Sequence, residues 1–208
     1  MPLVRTIQAA AGTKIGIWRI TEPEEFFSRR VSLDKQVHHP ARRIQHLAVR
    51  YLLEEIEASF PTARIRVAGA GKPYLPDESF HFSLSHSGDY AVAIVGTDGP
   101  VGVDVEKITP KIERIAAKFL RPEELAFLSG EDRTAHLTTC WCIKESVIKW
   151  YGKGGVDFRE DIRLAPFPGD GEGKTWAYFQ KDGPPVTLPV RYLGTGDYQL
   201  AWIAGTPT

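Results

Sequence analysis

Between Phe80 and Lys107 the chain compresses three strand-like runs into one short stretch. Phe80-His-Phe-Ser-Leu-Ser85 alternates, and Tyr90-Ala-Val-Ala-Ile-Val95 is apolar throughout. Val101-Gly-Val-Asp-Val-Glu-Lys107 alternates valines with Gly102, Asp104 and Glu106. Period two is the strand period. The links His86-Ser-Gly-Asp89 and Thr97-Asp-Gly-Pro100 are rich in turn residues and far too short for a parallel crossover. An antiparallel meander is therefore expected. The last run also sets two carboxylates on one face, with only Val105 between them in sequence. Like charges side by side repel unless something positive lies between them. An oxygen-liganded divalent cation answers that need, and Mg²⁺ typically takes one or two protein carboxylates plus phosphate and water.

A third carboxylate comes from Trp141-Cys-Ile-Lys-Glu-Ser-Val-Ile-Lys-Trp-Tyr-Gly-Lys-Gly154, a mostly apolar helical run. Glu145 and Lys149 are four apart and share a helical face. Gly152-Lys-Gly-Gly155 is a helix stop. Singly, each motif has a plain explanation. A Glu–Lys pair at this spacing is usually a solvated ion pair, and Asp-x-Glu on a strand is often an exposed face. Their joint occurrence is much less easily accidental.

Elsewhere, Ile15–Ile20 reads as a strand, and Thr21 as the N-cap of a helix with Pro23 in its first turn. From Ala41 to Ser59 the positions Ile44, Leu47, Ala48, Tyr51, Leu52 and Ile56 recur at helical steps. Helices are expected over Ile112–Phe119, from Pro122, and over Ala135–Tyr151. Strands follow at Lys174–Phe179, Val186–Leu193 and Tyr198–Ile203. The order gives an α+β chain with two comparable halves, 1–103 and 104–208, dividing within the region 97–111.

Composition narrows the partners. With 26 basic and 26 acidic side chains in 208 residues the net charge is zero, which argues against nucleic acid held by bulk charge. The charge is uneven: Arg42, Arg43, Arg50, Arg64 and Arg66 with His38, His39 and His46 make the first third locally basic. Cys140 and Cys142, two apart on a helix, point in different directions and are expected as reduced core thiols of a cytoplasmic protein. No apolar run is long enough to span a membrane, and Met1–Ala11 lacks the apolar core of a leader.

Four ordered motifs carry a resemblance: Gly71-Lys-Pro73, Phe82-Ser-Leu-Ser-His-Ser87, Val101-Gly-Val-Asp-Val-Glu106, and Trp141-x-x-Lys-Glu-Ser146 with Lys149 and Gly152-Lys-Gly154. Together they resemble the 4′-phosphopantetheinyl transferases, in particular the surfactin-synthetase-activating group. The resemblance covers roughly residues 40–155 and implies two similar α/β subdomains related by a pseudo-twofold axis, with a cleft between them. It implies transfer of phosphopantetheine from coenzyme A to a serine of an apo acyl or peptidyl carrier protein, releasing adenosine 3′,5′-bisphosphate. Asp104, Glu106 and Glu145 would hold Mg²⁺, with Mn²⁺ as the alternative, and Glu124 is a further acidic position near the metal. Glu145 would take the serine proton, directly or through water. Lys149 would face the phosphates. Lys72, Ser85 and His86 would lie along coenzyme A. Arg42 or Arg43 would reach its 3′-phosphate, a solvated helix face being the alternative, with Lys35 a weaker candidate. Phe119, Leu120, Phe127 and Leu128 are either carrier contacts or core. A cytoplasmic monomer is expected. Two other readings stay open: a different Mg²⁺-dependent phosphoryl-transfer enzyme, and a non-catalytic module that binds coenzyme A or a carrier protein.

Overall fold

The computed structural model describes residues 3–33, 36–69, 71–128, 132–169 and 171–205. Lys35 lies outside them. The chain opens with a hairpin, β1 (Leu3–Ala10) and β2 (Thr13–Arg19), then a short helix α1 (Glu24–Ser28) and the long α2 (Pro40–Ile56). A 3-10 turn at Thr62–Arg64 and the two-residue strands β3 (Arg66–Val67) and β4 (Pro73–Tyr74) lead to β5 (His81–Ser87) and β6 (Tyr90–Gly96). Next come β7 (Val101–Lys107), α3 (Lys111–Phe119), α4 (Pro122–Ala126) and α5 (Arg133–Tyr151). Four strands close the fold: β8 (Ile162–Leu164), β9 (Glu172–Phe179), β10 (Val186–Thr195) and β11 (Tyr198–Ala204).

The expected meander holds for one pair only. β5 and β6 pair antiparallel within a sheet of order β1-β2-β6-β5, whereas β7 opens a second sheet of order β7-β11-β10-β9-β8. The short Thr97–Pro100 link therefore carries the chain across from one sheet to the other. A division at 103/104 would cut through β7; the strands themselves break between Gly96 and Val101. β5 also runs on to Ser87, so His86 and Ser87 are strand residues and only Gly88 and Asp89 turn. Thr21 is not a cap, because α1 starts at Glu24 behind Pro23.

Three apolar clusters stack as layers. α2 lays Leu47, Ala48, Leu52 and Ile56 on Ala91, Ala93 and Val95 of the four-stranded sheet. α5 lays Leu137, Ile143 and Val147 on Ala177, Val190 and Ala201 of the five-stranded sheet. Between the sheets, Ile15, Ile17, Val92 and Ile94 meet Val103, Val105, Leu200 and Trp202. The alternation of β7 thus has a direct outcome: its valines enter the inter-sheet core, while Gly102, Asp104 and Glu106 face α5. Gly102 is where α5 crosses, and a Cβ there would stand 2.0 Å from the Ser146 carbonyl oxygen.

α5 is bounded as its sequence suggests. The Asp132 carboxylate accepts from Ala135 N at 2.9 Å, and Gly152 ends the helix in the left-handed region at φ 75°. Cys140 and Cys142 are buried, unpaired thiols within it. Phe119 and Leu120 are each only 1% exposed and belong to the core, which removes them as carrier contacts. Among the described residues no helix is long and apolar enough to cross a membrane.

Candidate active site

The site forms where β7, β5 and α5 meet. Asp104 is 3% exposed. Its Oδ1 accepts from Lys149 Nζ at 2.7 Å and from Ser85 Oγ at 2.7 Å, while Oδ2 is buried with no hydrogen-bond partner. The Cys142 thiol packs close to it, but gives its proton to the Gln199 carbonyl at 3.4 Å. Glu106 Oε2 accepts from Ser87 Oγ at 2.7 Å. Burial first, then the Asp104 charge, raises the Glu106 carboxyl above its ordinary value, against the lowering effect of Ser87, Lys149 and Trp141. Glu145 is raised further, to about 7, by burial and then by Asp104, with Lys149 opposing.

The three carboxylates therefore feel one another, as the sequence leads one to expect. They are not closed into a cage. Among the described residues no three His, Cys, Asp or Glu side chains gather tightly enough to hold a metal ion as they stand. Mutual repulsion favours separation, and the Lys149 ammonium already occupies one Asp104 oxygen. The donor set still fits a hard divalent cation: carboxylate oxygens only, one of them orphaned and buried, and two carboxyls raised partly by neighbouring negative charge. Asp104, Glu106 and Glu145 are the residues that would hold such an ion.

Glu124 does not belong to this set. Its Oε2 accepts from Lys144 Nζ at 2.8 Å and Arg121 N at 2.7 Å, and its Oε1 accepts from Leu164 N at 2.8 Å. Lys144 completes its own donors on the Phe158 and Ile162 carbonyls, at 2.8 and 3.0 Å. Glu124 is thus engaged in bonds that tie α4, α5 and β8 together.

The basic residues separate in the same way. Lys72 sits in a cavity of about 250 Å³ with Lys149, Gly152 and Gly154. Its ammonium donates to the Trp150 carbonyl at 3.2 Å, at the C-terminal end of α5. Burial lowers its pKa to about 8. That cavity shares Gly71, Pro73 and Leu84 with a neighbouring one of about 330 Å³, whose walls include His46, Arg50 and His86. The His86 imidazole is pushed down to about 4, first by burial, then by His46, Lys149 and Arg42. Arg42 is thus close enough to act on this pocket. Arg43 is engaged elsewhere as it stands: its Nε donates to Glu24 at 2.8 Å and its Nη1 to the Val37 carbonyl. Ser85 gives its one proton to Asp104 and accepts from Val105 N, so its hydroxyl faces β7, whereas Leu84 and His86 of the same strand line the cavity of about 330 Å³ and Ser83 lines the one that holds Lys72.

Sequence reasoning passed over His46, Ser83 and Ser87. His46 stands edge-on to His86 with ring centroids 5.0 Å apart. Nothing local marks it; only the packing of α2 on β5 does. The serines were visible as a period-two row, Ser83, Ser85, Ser87, in register with the alternation of β7.

A two-sheet mixed α/β fold thus sets an acid cluster beside a partly apolar pocket with basic residues in its wall. Residues 100–203, half of the chain, match the model of the 4′-phosphopantetheinyl transferase superfamily, and the chain belongs to that superfamily. It is 38% identical over 122 residues to "4′-phosphopantetheinyl transferase psf-1" of Bacillus pumilus, covering 55% of this chain and 52% of that protein. It is 40% identical over 88 residues to a 4′-phosphopantetheinyl transferase of Bacillus subtilis, covering 40% and 39%. To "4′-phosphopantetheinyl transferase Sfp" of Bacillus subtilis (strain 168) it is 34% identical over 108 residues, covering 50% and 46%. The chain spans about half the length of the curated relatives it matches.

Proposed function

We propose that this chain transfers the phosphopantetheine arm of coenzyme A to a serine hydroxyl of an apo acyl or peptidyl carrier protein. The observation that carries the reading is the half-open pair Asp104–Lys149, with Glu106 and Glu145 beside it and the Lys72 cavity alongside. The serine oxygen forms a bond to the pantetheine-side phosphorus of the diphosphate. The bond from that phosphorus to the bridging oxygen breaks, and adenosine 3′,5′-bisphosphate leaves with the electron pair. Asp104, Glu106 and Glu145 would hold Mg²⁺ or Mn²⁺, which when bound neutralises diphosphate charge. Lys149 supplies a fixed positive charge at the same place, and Glu145 takes the serine proton, directly or through a water. Lys72, His86 and Arg42 hold the nucleotide, with Arg50 and His46 in the pocket wall.

The two-layer halves support a pseudo-twofold arrangement of two subdomains, 1–103 and 104–208 in first outline, with the division moved to the Thr97–Pro100 link. Each half is one long helix on one antiparallel sheet. We place the protein in the cytoplasm as a monomer; its unpaired thiols suit a reducing compartment. The test is direct. Incubated with coenzyme A, Mg²⁺ and an apo carrier protein, the chain should add one phosphopantetheine arm to the carrier, seen by intact-mass measurement, and chelation should stop it. Mg²⁺-dependent turnover of other phosphate esters with no arm transferred would favour a different phosphoryl-transfer enzyme. Coenzyme A binding without transfer to any carrier would favour a binding module.

A further inference from the structure

Three hydroxyls on β5 meet the free edge of β7 at a constant offset. Val103 N donates to Ser83 Oγ at 3.2 Å, Val105 N to Ser85 Oγ at 3.2 Å, and Lys107 N to Ser87 Oγ at 3.1 Å. β7 uses its other edge to pair with β11. Serine oxygens therefore stand where the carbonyls of a neighbouring strand would, and they satisfy edge N–H groups that would otherwise be exposed or unpaired. The two sheets are joined here by side chains and not by a main-chain ladder.

A hydroxyl that accepts from the backbone still has one proton to give. In two of the three rungs that proton goes to the side chain of the residue before the donor. Ser85 gives it to Asp104 Oδ1 at 2.7 Å, and Ser87 gives it to Glu106 Oε2 at 2.7 Å. Ser83 stands one rung earlier, where the preceding residue is Gly102 and there is no carboxylate to receive it. One row of serines thus contains two rungs that orient a carboxylate and one, Ser83, that covers the strand edge at the wall of the Lys72 cavity and holds no carboxylate.

We propose that Ser87 is a positioning residue for Glu106, as Ser85 is for Asp104, and that the serine row sets where these two carboxylates point for a divalent cation. This rests on reading the acid cluster as cation-dependent. A bond from a fixed neighbouring strand removes rotamers that Glu106 would otherwise visit. Such a carboxylate binds an ion without first giving up that freedom, and partners of this kind commonly govern about 10- to 100-fold in affinity.

Ser83 is the internal control. If the row serves only to hold β5 against β7, losing Ser83 and losing Ser87 must have the same consequence. The test is isothermal titration of Mn²⁺ into the metal-free chain for wild type, Ser83→Ala, Ser87→Ala, Ser87→Cys and Ser87→Thr, each checked for folding by circular dichroism. Ser87→Ala and Ser87→Cys should bind Mn²⁺ roughly tenfold more weakly, Ser83→Ala should bind as wild type, and Ser87→Thr, which keeps the hydroxyl, should restore affinity. The cysteine variant covers the edge with a similar shape but a poor donor, so it answers the question even if alanine opens the edge. Wild-type affinity in Ser87→Ala and Ser87→Cys, equal losses in Ser83→Ala and Ser87→Ala, or no rescue by threonine would each overturn the assignment. A wild-type chain that takes up no Mn²⁺ would overturn the cation reading beneath it as well.

Discussion

α5 carries two lysines five residues apart, and each pairs with a buried acid on another element. The pairs look alike in a list of ion pairs and differ in every other respect. Lys144 and Glu124 have side chains 0% and 4% exposed, and their strong hydrogen bonds are all made within the fold. Lys149 and Asp104 are 27% and 5% exposed, one Asp104 oxygen has no partner, and two more carboxylates stand near it. The closed pair joins α4, α5 and the start of β8, and has nothing left over for a ligand. The open pair has an unmet oxygen, a crowd of negative charge and access to a cavity. Incomplete satisfaction, more than burial or charge, distinguishes the site that can do chemistry from the site that holds the fold.

The largest expected effect should break the closed pair. Lys144→Met leaves the Glu124 carboxylate buried without its cation and should cost about 3–5 kcal/mol in urea denaturation. A loss near zero would mean the pair is not a structural clamp. Glu145→Gln should instead leave unfolding cooperative and reduce arm transfer by around 10²–10⁴-fold, measured as initial rate; near-normal turnover would remove Glu145 from the chemistry.

The comparison sharpens with pH. The folded Glu145 carboxyl titrates near 7, above the 4.5 expected when unfolded. The folded state therefore binds the extra proton between these values, and the Glu145 contribution to stability should decline as pH rises through that window in metal-free protein. His86, pushed down to about 4, contributes with the opposite sign over much of the same range, so the decline is read as the pH-dependent difference in thermal melts between wild type and Glu145→Gln. A wild-type slope kept intact in Glu145→Gln would assign the titration elsewhere. The smallest effect concerns Lys72, whose charge is lost above about pH 8. Lys72→Ala should raise the apparent KM for coenzyme A about tenfold with little change in kcat, equivalent to one charge-assisted contact. An unchanged KM would return Lys72 to a helix-capping role on the Trp150 carbonyl.

Much of this was legible in the chain, and what was not has a separate physical reason in each case. α2 announces itself because it buries one face, so periodicity and burial coincide; β7 and α5 are buried on nearly every side and announce themselves by valine alternation and by a long apolar run between an N-cap and a glycine stop. β1 was missed because it is an edge strand whose Val4, Arg5 and Thr6 are exposed, leaving no apolar alternation to read. β8 has only three residues. At the candidate site, Asp104, Glu106, Glu145 and Lys149 were picked out by residue type and spacing, and the fold brings them near one another. The partners of Glu124, Arg43 and Ser85, namely Lys144, Glu24 and Asp104, come from distant elements and could not be read from spacing. Motif order tells which residues approach a site; only the register between packed elements tells which way a hydroxyl or guanidinium is spent.

Asp104→Asn puts the difference between the two pairs to its most direct test. It keeps the shape at the open pair and removes the charge. In an intact-mass assay of an apo carrier with coenzyme A and Mg²⁺, the wild-type chain should load the arm, while a fully folded Asp104→Asn chain leaves the carrier bare. Loading at the wild-type rate by Asp104→Asn would contradict the assignment of the open pair as the reacting centre.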